Sequence, residues 1–296
     1  MSDIGNSNRI TREYLDSLLI ETRFMDSAAN PDTGLELYGQ HISSPIMTAP
    51  ISHLNHWMFP GAADALAKGA KAADAVLWYG MADEEEIDSL AAYGGTMIEI
   101  IKTYDDRDLI YKKIEHAEKL GMLAVGIDID HPFGSDGSPD IVDGYKMTPL
   151  RTAELMEITK ATRLPLIIKG VLSLHDAERA LAAGAQGLVV SHHNNRIEYA
   201  VPPLMVLPEI AELVNGSVPI FVDCEIRTGM DAFKALCLGA TGVCIGRPLM
   251  TAIKQDPENG VRDYLLKAND ELKKAMAFTG CVNLSKMDPT IVRTLW

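Results

Sequence analysis

Aromatic residues and positive charge are both scarce in this chain. Phe, Tyr and Trp make up 6% of 296 residues, and 27 Lys and Arg face 41 Asp and Glu, for a formal net charge of −14. That balance, with no basic stripe to offset it, disfavours binding to a nucleic-acid backbone. It does not exclude small anions, because local cations and backbone N–H groups set the potential inside a pocket. Cysteine is also sparse: Cys224, Cys237, Cys244 and Cys281 show neither a CxxC spacing nor a nearby histidine pairing, and read as buried reduced thiols rather than metal ligands. No apolar stretch approaches the ~20 residues of a membrane span. The first residues, Met1 to Gly5, lack the basic and apolar regions of a secretory signal. The expectation is a cytoplasmic protein with no membrane or nucleic-acid partner.

What the chain does have is a regular alternation. From about residue 45, short unalternating apolar runs are followed by longer amphipathic segments. The runs are 46–49, 75–78, 96–101, 123–129, 166–168, 187–190, 219–222 and 242–245; the segments between them span 62–73, 84–92, 106–120, 152–162, 173–183, 203–214 and 231–238. Strands without alternation are buried on both faces, as in a parallel sheet covered by helices. Eight such units in 296 residues, somewhat more than the roughly 250 typical of the fold, predict one α/β domain built as a (β/α)₈ TIM barrel. Gly184 and Gly239 follow the helices 173–183 and 231–238, where a left-handed C-cap is expected. Residues 1–44 read as a polar extension, and 255–296 as a C-terminal helix with a tail. The glycine- and proline-rich stretch 131–149 is long enough to be a lid over the barrel mouth, a disordered insertion being the alternative.

In a barrel the chemistry sits where the strands end, and there the polar residues gather. Glu99 and Lys102 lie on or after the third strand. Asp128, Asp130 and His131 end the fourth, and Lys169-Gly170 the fifth. Ser191-His192-His193-Asn194-Asn195-Arg196 follow the sixth, Asp223 and Arg227 the seventh, and Gly246-Arg247 the eighth. Arginine and glycine after the last two strands suit a phosphate: glycine lets backbone N–H groups approach, and arginine supplies a bidentate cation.

These segments resemble the FMN-dependent 2-hydroxy-acid dehydrogenases and oxidases, the family of glycolate and lactate oxidases. Similarity is strongest over 164–250, in the segment Leu164 to Val171, in Ser191 to Arg196, in Asp223 to Arg227 and in Ile245 to Pro248, with a weaker match at Pro45 to Ile51. The resemblance implies FMN as cofactor, contacted at its ring by Ala49, Pro50, Ile51, Glu99 and Ser191. Lys169 would lie near the N1–C2 carbonyl edge, Asp223 on the ribityl chain, and Arg227, Gly246 and Arg247 on the phosphate. His193 would be the general base, Arg196 the anchor for a small carboxylate substrate, and Asp128 a supporting aspartate. It also implies a homo-oligomer, commonly a tetramer.

The chain departs from the family at the substrate end. It begins too late to carry the first active-site tyrosine; the second is replaced near Ile101 or Lys102, and the second arginine has no counterpart in 128–137. Cys224-Glu225 stands where the family has a Gly-Gly pair. Lys102, with His131, is the expected substitute for the lost groups, whereas His192 reads as an ordinary hydrogen-bonded histidine. Oxidation of a 2-hydroxy acid is the leading reading. A different substrate or non-redox isomerisation on the same cofactor, and a non-catalytic flavin-binding protein, remain as alternatives.

Overall fold

A computed structural model describes residues 4–27 and 29–295. Eight strands form one parallel sheet: β1 (Ile46–Thr48), β2 (Leu77–Gly80), β3 (Met97–Lys102), β4 (Ala124–Asp128), β5 (Leu166–Val171), β6 (Gly187–Val190), β7 (Ile220–Val222) and β8 (Gly242–Ile245). Each pairs with its sequence neighbour from β2 through β8, and β8 returns to β1, with Cys244 opposite Met47. The remaining seam, between β1 and β2, is closed by one threonine. Thr48 donates its N–H to the Val76 carbonyl at 3.2 Å, and its Oγ1 accepts from the Trp78 N–H at 2.8 Å. This is the predicted eight-fold barrel.

Each strand is buried on both faces, as its lack of alternation implied. Met47, Trp78, Ile98, Ile100, Ala124, Ile167, Val189, Phe221 and Cys244 belong to an interior cluster separate from the larger core under the helices. Trp78 and Phe221 meet edge to face at 5.0 Å between ring centroids, a favourable aromatic geometry. Gly126 makes room in the same interior for Ile100: a Cβ there would come within 2.3 Å of Ile100 Cδ1. A hairpin of strands Leu35–Leu37 and Gln40–Ile42 adds Leu37 and Ile42 to the same cluster. The Tyr38 hydroxyl at its turn donates to the Gln186 carbonyl at 2.8 Å, just before β6 begins. The N-terminal end of the barrel is therefore covered, and the opposite end is left for ligands.

The helices α1 (Ala62–Ala72), α2 (Glu84–Ala91), α3 (Arg107–Lys119), α4 (Thr152–Lys160), α5 (Leu174–Ala182), α6 (Pro203–Val214) and α7 (Gly229–Cys237) surround the sheet. Several begin where side-chain caps allow: Asp83, Ser173 and Thr228 each accept from a backbone N–H of the first turn. The last unit differs from the sequence expectation. Gly246 turns directly into α8 (Arg247–Gln255), and the long α9 (Gly260–Thr279) follows. Pro248 in the first turn of α8 sacrifices no intrahelical hydrogen bond. The stretch 1–44 is likewise more structured than a polar extension: it contains a helix, Ser7–Ser17, and the strand Leu18–Ile20, which pairs antiparallel with Val292–Thr294. No helix of the described residues is long and apolar enough to cross a membrane.

Replacing Thr48 with valine keeps the shape but strands the Trp78 N–H at the buried seam. The expected loss is about 1–3 kcal/mol, read as a lower urea midpoint at unchanged slope.

Candidate functional site

The barrel register brings three charged residues to the same height. Lys102 on β3 lies opposite Asp128 on β4, and Asp128 lies opposite Lys169 on β5. All three side chains are buried. Asp128 accepts from Lys102 through Oδ2, and from Lys169 through Oδ1 at 3.1 Å. One carboxylate thus serves two ammonium groups. Two residues further along, Asp130 Oδ1 lies 2.5 Å from His193 Nδ1, and His193 Nδ1 is in turn 3.3 Å from Lys169 Nζ.

Gly170 makes room for this arrangement. Its φ of +94° is left-handed, and a Cβ there would sit 2.4 Å from the Asp130 carboxyl group. The same residue breaks the β5–β6 register between Lys169 and Val171, so β5 runs on past the Ile168 at which the sequence pattern ended it.

The electrostatics follow from this packing. Burial alone would raise the Asp128 carboxyl, but His193, Lys102 and Lys169 outweigh it and hold it well below the usual range. Asp130 moves the other way, raised by burial and by the charge of Asp128. For His193, burial opposes the charged form, yet Asp128 and Asp130 prevail and raise the imidazole above its ordinary value. His131 lacks that support: burial, with the cations Lys102 and His193, pushes it down to about 3. It is neutral at physiological pH and cannot replace a cationic arginine. The ligand atoms of Asp128, His131 and His193 lie within 4.8 Å of one another, a spacing that could suit a metal ion. Two lysine ammoniums already occupy Asp128, so the local charge opposes a cation.

His193 sits in an unusual turn. His193, Asn194 and Asn195 have φ of +48°, +56° and +64° in succession. Asparagine tolerates this region better than most residues; for histidine it needs support. The N-terminal helix Ser7–Ser17 supplies it. Asn195 Oδ1 accepts from the Ser7 N–H at 2.6 Å, Asn194 Oδ1 from Asn8 at 2.9 Å, and His192 Nε2 lies 2.8 Å from Thr11 Oγ1. Ser191 Oγ accepts from the His193 N–H at 3.0 Å. Nothing in the sequence of residues 1–44 signalled this contact.

A cleft of about 790 Å³ opens beside this cluster. Its lining includes Ala49, Pro50, Ile51, Lys169 and His193, together with Asp223, Arg227, Gly246 and Arg247. Lys102 and Asp128 lie behind Lys169 rather than in the wall. Arg196 is at the rim, bound to Asp140 at 2.5 Å and to the Phe133 carbonyl. Asp140 also meets His131 at 2.8 Å, and the segment 131–149 is tied to the loop after β3 by the Lys146 carbonyl and the Thr148 N–H, which pair with Asp105 and Thr103. Glu99 falls outside the constellation. On β3 it has the opposite facing to Ile98, Ile100 and Lys102, and it approaches Lys113 of α3 at 3.8 Å, with burial raising its carboxyl. The same alternation makes Lys102, not Ile101, the inward-facing residue at that level. Sequence reasoning overlooked Asp130 as the partner of His193, although two residues after Asp128 on an extended chain is the same facing. Asp140 carried no signal at all.

Comparison with known proteins agrees with this geometry. The FMN-dependent dehydrogenase family model matches residues 2–154 and 137–294. Glycolate oxidase of Spinacia oleracea is 28% identical over 321 residues, covering 96% of this chain and 87% of that protein. Glycolate oxidase 3 of Oryza sativa subsp. indica is 29% identical, covering 93% and 85%. A mandelate oxidase mutant with the monooxide FMN adduct has a TM-score of 0.87 at 28% identity, covering 98% of this chain and 91% of the other. Mandelate oxidase with (S)-2-phenylpropionate gives 0.88 at 27%, with the same coverage. The cleft fits FMN. Its lining combines the buried Lys169 with two arginines, Arg227 and Arg247, and Gly246 keeps it open: a Cβ there would press on the Ala49 Cβ at 3.3 Å.

Replacing Asp130 with asparagine removes a carboxylate that favours the imidazolium. The His193 titration midpoint, followed by NMR of the ring protons, is expected to fall; an unmoved midpoint would assign the raised value to Asp128 alone.

Proposed function

The chain belongs to the FMN-dependent dehydrogenase family, and we propose that it oxidises a small 2-hydroxy acid to the corresponding 2-oxo acid. His193 carries this reading. Its Nδ1 is held by Asp130, and its Nε2 has no hydrogen-bond partner among the described residues, in the wall of the cleft next to Lys169. An imidazole fixed through one nitrogen and free at the other is what a general base needs.

FMN, when bound in the cleft, would supply the two-electron acceptor for the oxidation. The protein residues manage the remaining proton and the charges. His193 Nε2 takes the hydroxyl proton, and the imidazolium so formed is stabilised by Asp130 and Asp128. Lys169 places a fixed positive charge on the ring side of the cleft, where the resemblance sets the N1–C2 edge. Asp223 would hold the ribityl chain, Arg227, Gly246 and Arg247 the phosphate, and Ala49 to Ile51 the ring. Arg196 anchors the substrate carboxylate by exchanging its bond to Asp140 for one to the incoming acid. Lys102, behind Asp128, acts as a positioning residue: it shares that carboxylate with Lys169 and so sets how strongly Asp128 holds the rest of the cluster.

Anaerobic addition of 2-hydroxy acids to the yellow protein tests this reading. Bleaching by one of them is the expected result; a flavin that no 2-hydroxy acid bleaches would reject the substrate class. Replacing Arg196 with methionine is expected to lower kcat/KM by about 10- to 100-fold, the range for losing a hydrogen bond to a charged group. Replacing Asp140 with asparagine frees the anchor and is expected to lower KM. Since His193 must be neutral to accept a proton and its value is raised, kcat/KM should fall on the acid side through an ionisation above the ordinary imidazole value of about 6.5. Asp130→Asn should move that limb to lower pH.

A further inference from the structure

Where Arg227 and Arg247 line the cleft, one internal carboxylate lies between the two guanidinium groups. Glu225 accepts from Arg227 through Oε2 and from Arg247 through Oε1. Its side chain is only 2% exposed, whereas both arginines are 51% exposed and line the cleft. Arg227 comes from the loop after β7 and Arg247 from the first turn of α8, so two elements converge on this one residue. The backbone is held against its own preference to put it there. Cys224 and Glu225 have φ of +66° and +64°, and two successive left-handed residues with side chains persist only where their surroundings impose it. Arg12, from the N-terminal helix, contributes by donating to the Glu225 carbonyl at 3.0 Å.

We propose that Glu225 is an internal anion that competes with the FMN phosphate for Arg227 and Arg247, and so sets the affinity and phosphate selectivity of the cofactor site. Two exposed guanidiniums facing one cleft form a strong site for a phosphate monoester dianion. With Glu225 between them the local formal charge falls from +2 to +1, by simple addition of its −1. An arriving phosphate must either displace the carboxylate or bind beside a like charge. Both choices weaken its hold. Riboflavin carries no phosphate to compete for the arginines, so the effect distinguishes FMN from riboflavin. This inference rests on the cleft taking flavin and goes beyond it, by stating which residue limits the binding.

The test is a titration of flavin-stripped full-length protein with FMN and with riboflavin, followed by quenching of flavin fluorescence. In the unaltered protein the phosphate is expected to improve affinity by no more than about 10- to 100-fold, the range of one hydrogen bond to a charged group. In Glu225→Gln, FMN binding is expected to tighten tenfold or more, with riboflavin binding unchanged. An unaltered protein that prefers FMN over riboflavin by several hundredfold would overturn the proposal without reference to any variant. So would a Glu225→Gln protein that binds riboflavin normally and FMN no better than before. If neither flavin binds either protein, the cofactor reading fails first, and the proposal with it.

Discussion

The Asp128 carboxylate is the interaction on which the catalytic end of the barrel depends. It is buried at the level where β3, β4 and β5 align, and it is the counter-ion for both Lys102 and Lys169. Moving an ammonium group out of water costs several kcal/mol, and breaking a buried pair by removing one partner costs about 3–5 kcal/mol. Two such groups sharing one carboxylate tie three adjacent strands together at the mouth. They also fix the local potential: a depressed Asp128, a raised Asp130 and a raised His193 all follow from the same few ångströms of packing.

A common pattern extends outward from that cluster. Three arginines at this end of the barrel each hold a carboxylate of the chain itself. Arg196 holds Asp140, and Arg227 and Arg247 share Glu225. A strongly acidic chain can offer such partners readily. The arginines are thereby oriented before any ligand arrives, which lowers the ordering cost of binding, while the ligand must compete for them, which lowers the net gain. Affinity and preorganisation are therefore set against each other at both carboxylates.

The N-terminal helix belongs to this machinery although it lies outside the barrel. Through Ser7, Asn8 and Thr11 it holds the left-handed turn that presents His193, and through Arg12 it grips Asp231 at 2.8 Å and the Glu225 carbonyl. One element thus steadies both strained turns, 193–195 and 224–225. Strain of this kind is tolerated where neighbouring contacts over-determine the backbone, and these are long-range contacts.

By itself the sequence determined the barrel and the direction of its open end. Short unalternating apolar runs such as 187–190, spaced by longer amphipathic segments, read as strands buried on both faces, and charged residues at their C-terminal ends mark the mouth. It also located Lys169 on the fifth strand, His193, Asp223 and Arg227 in the loops after the sixth and seventh, and Arg247 close after the eighth. Which of two neighbouring candidates faces inward was left to the tertiary structure: Glu99 and Lys102 differ by three positions on one strand, hence by face, and only the closed sheet says which face is the interior. The partners of the charged groups were decided there as well. Asp140 reaches Arg196 across 56 residues, Thr11 reaches His192 across 181, and Glu225 meets Arg247 across 22. Such pairings depend on distances in space that no local pattern encodes, and they determine how the positions read from the chain are charged, oriented and covered.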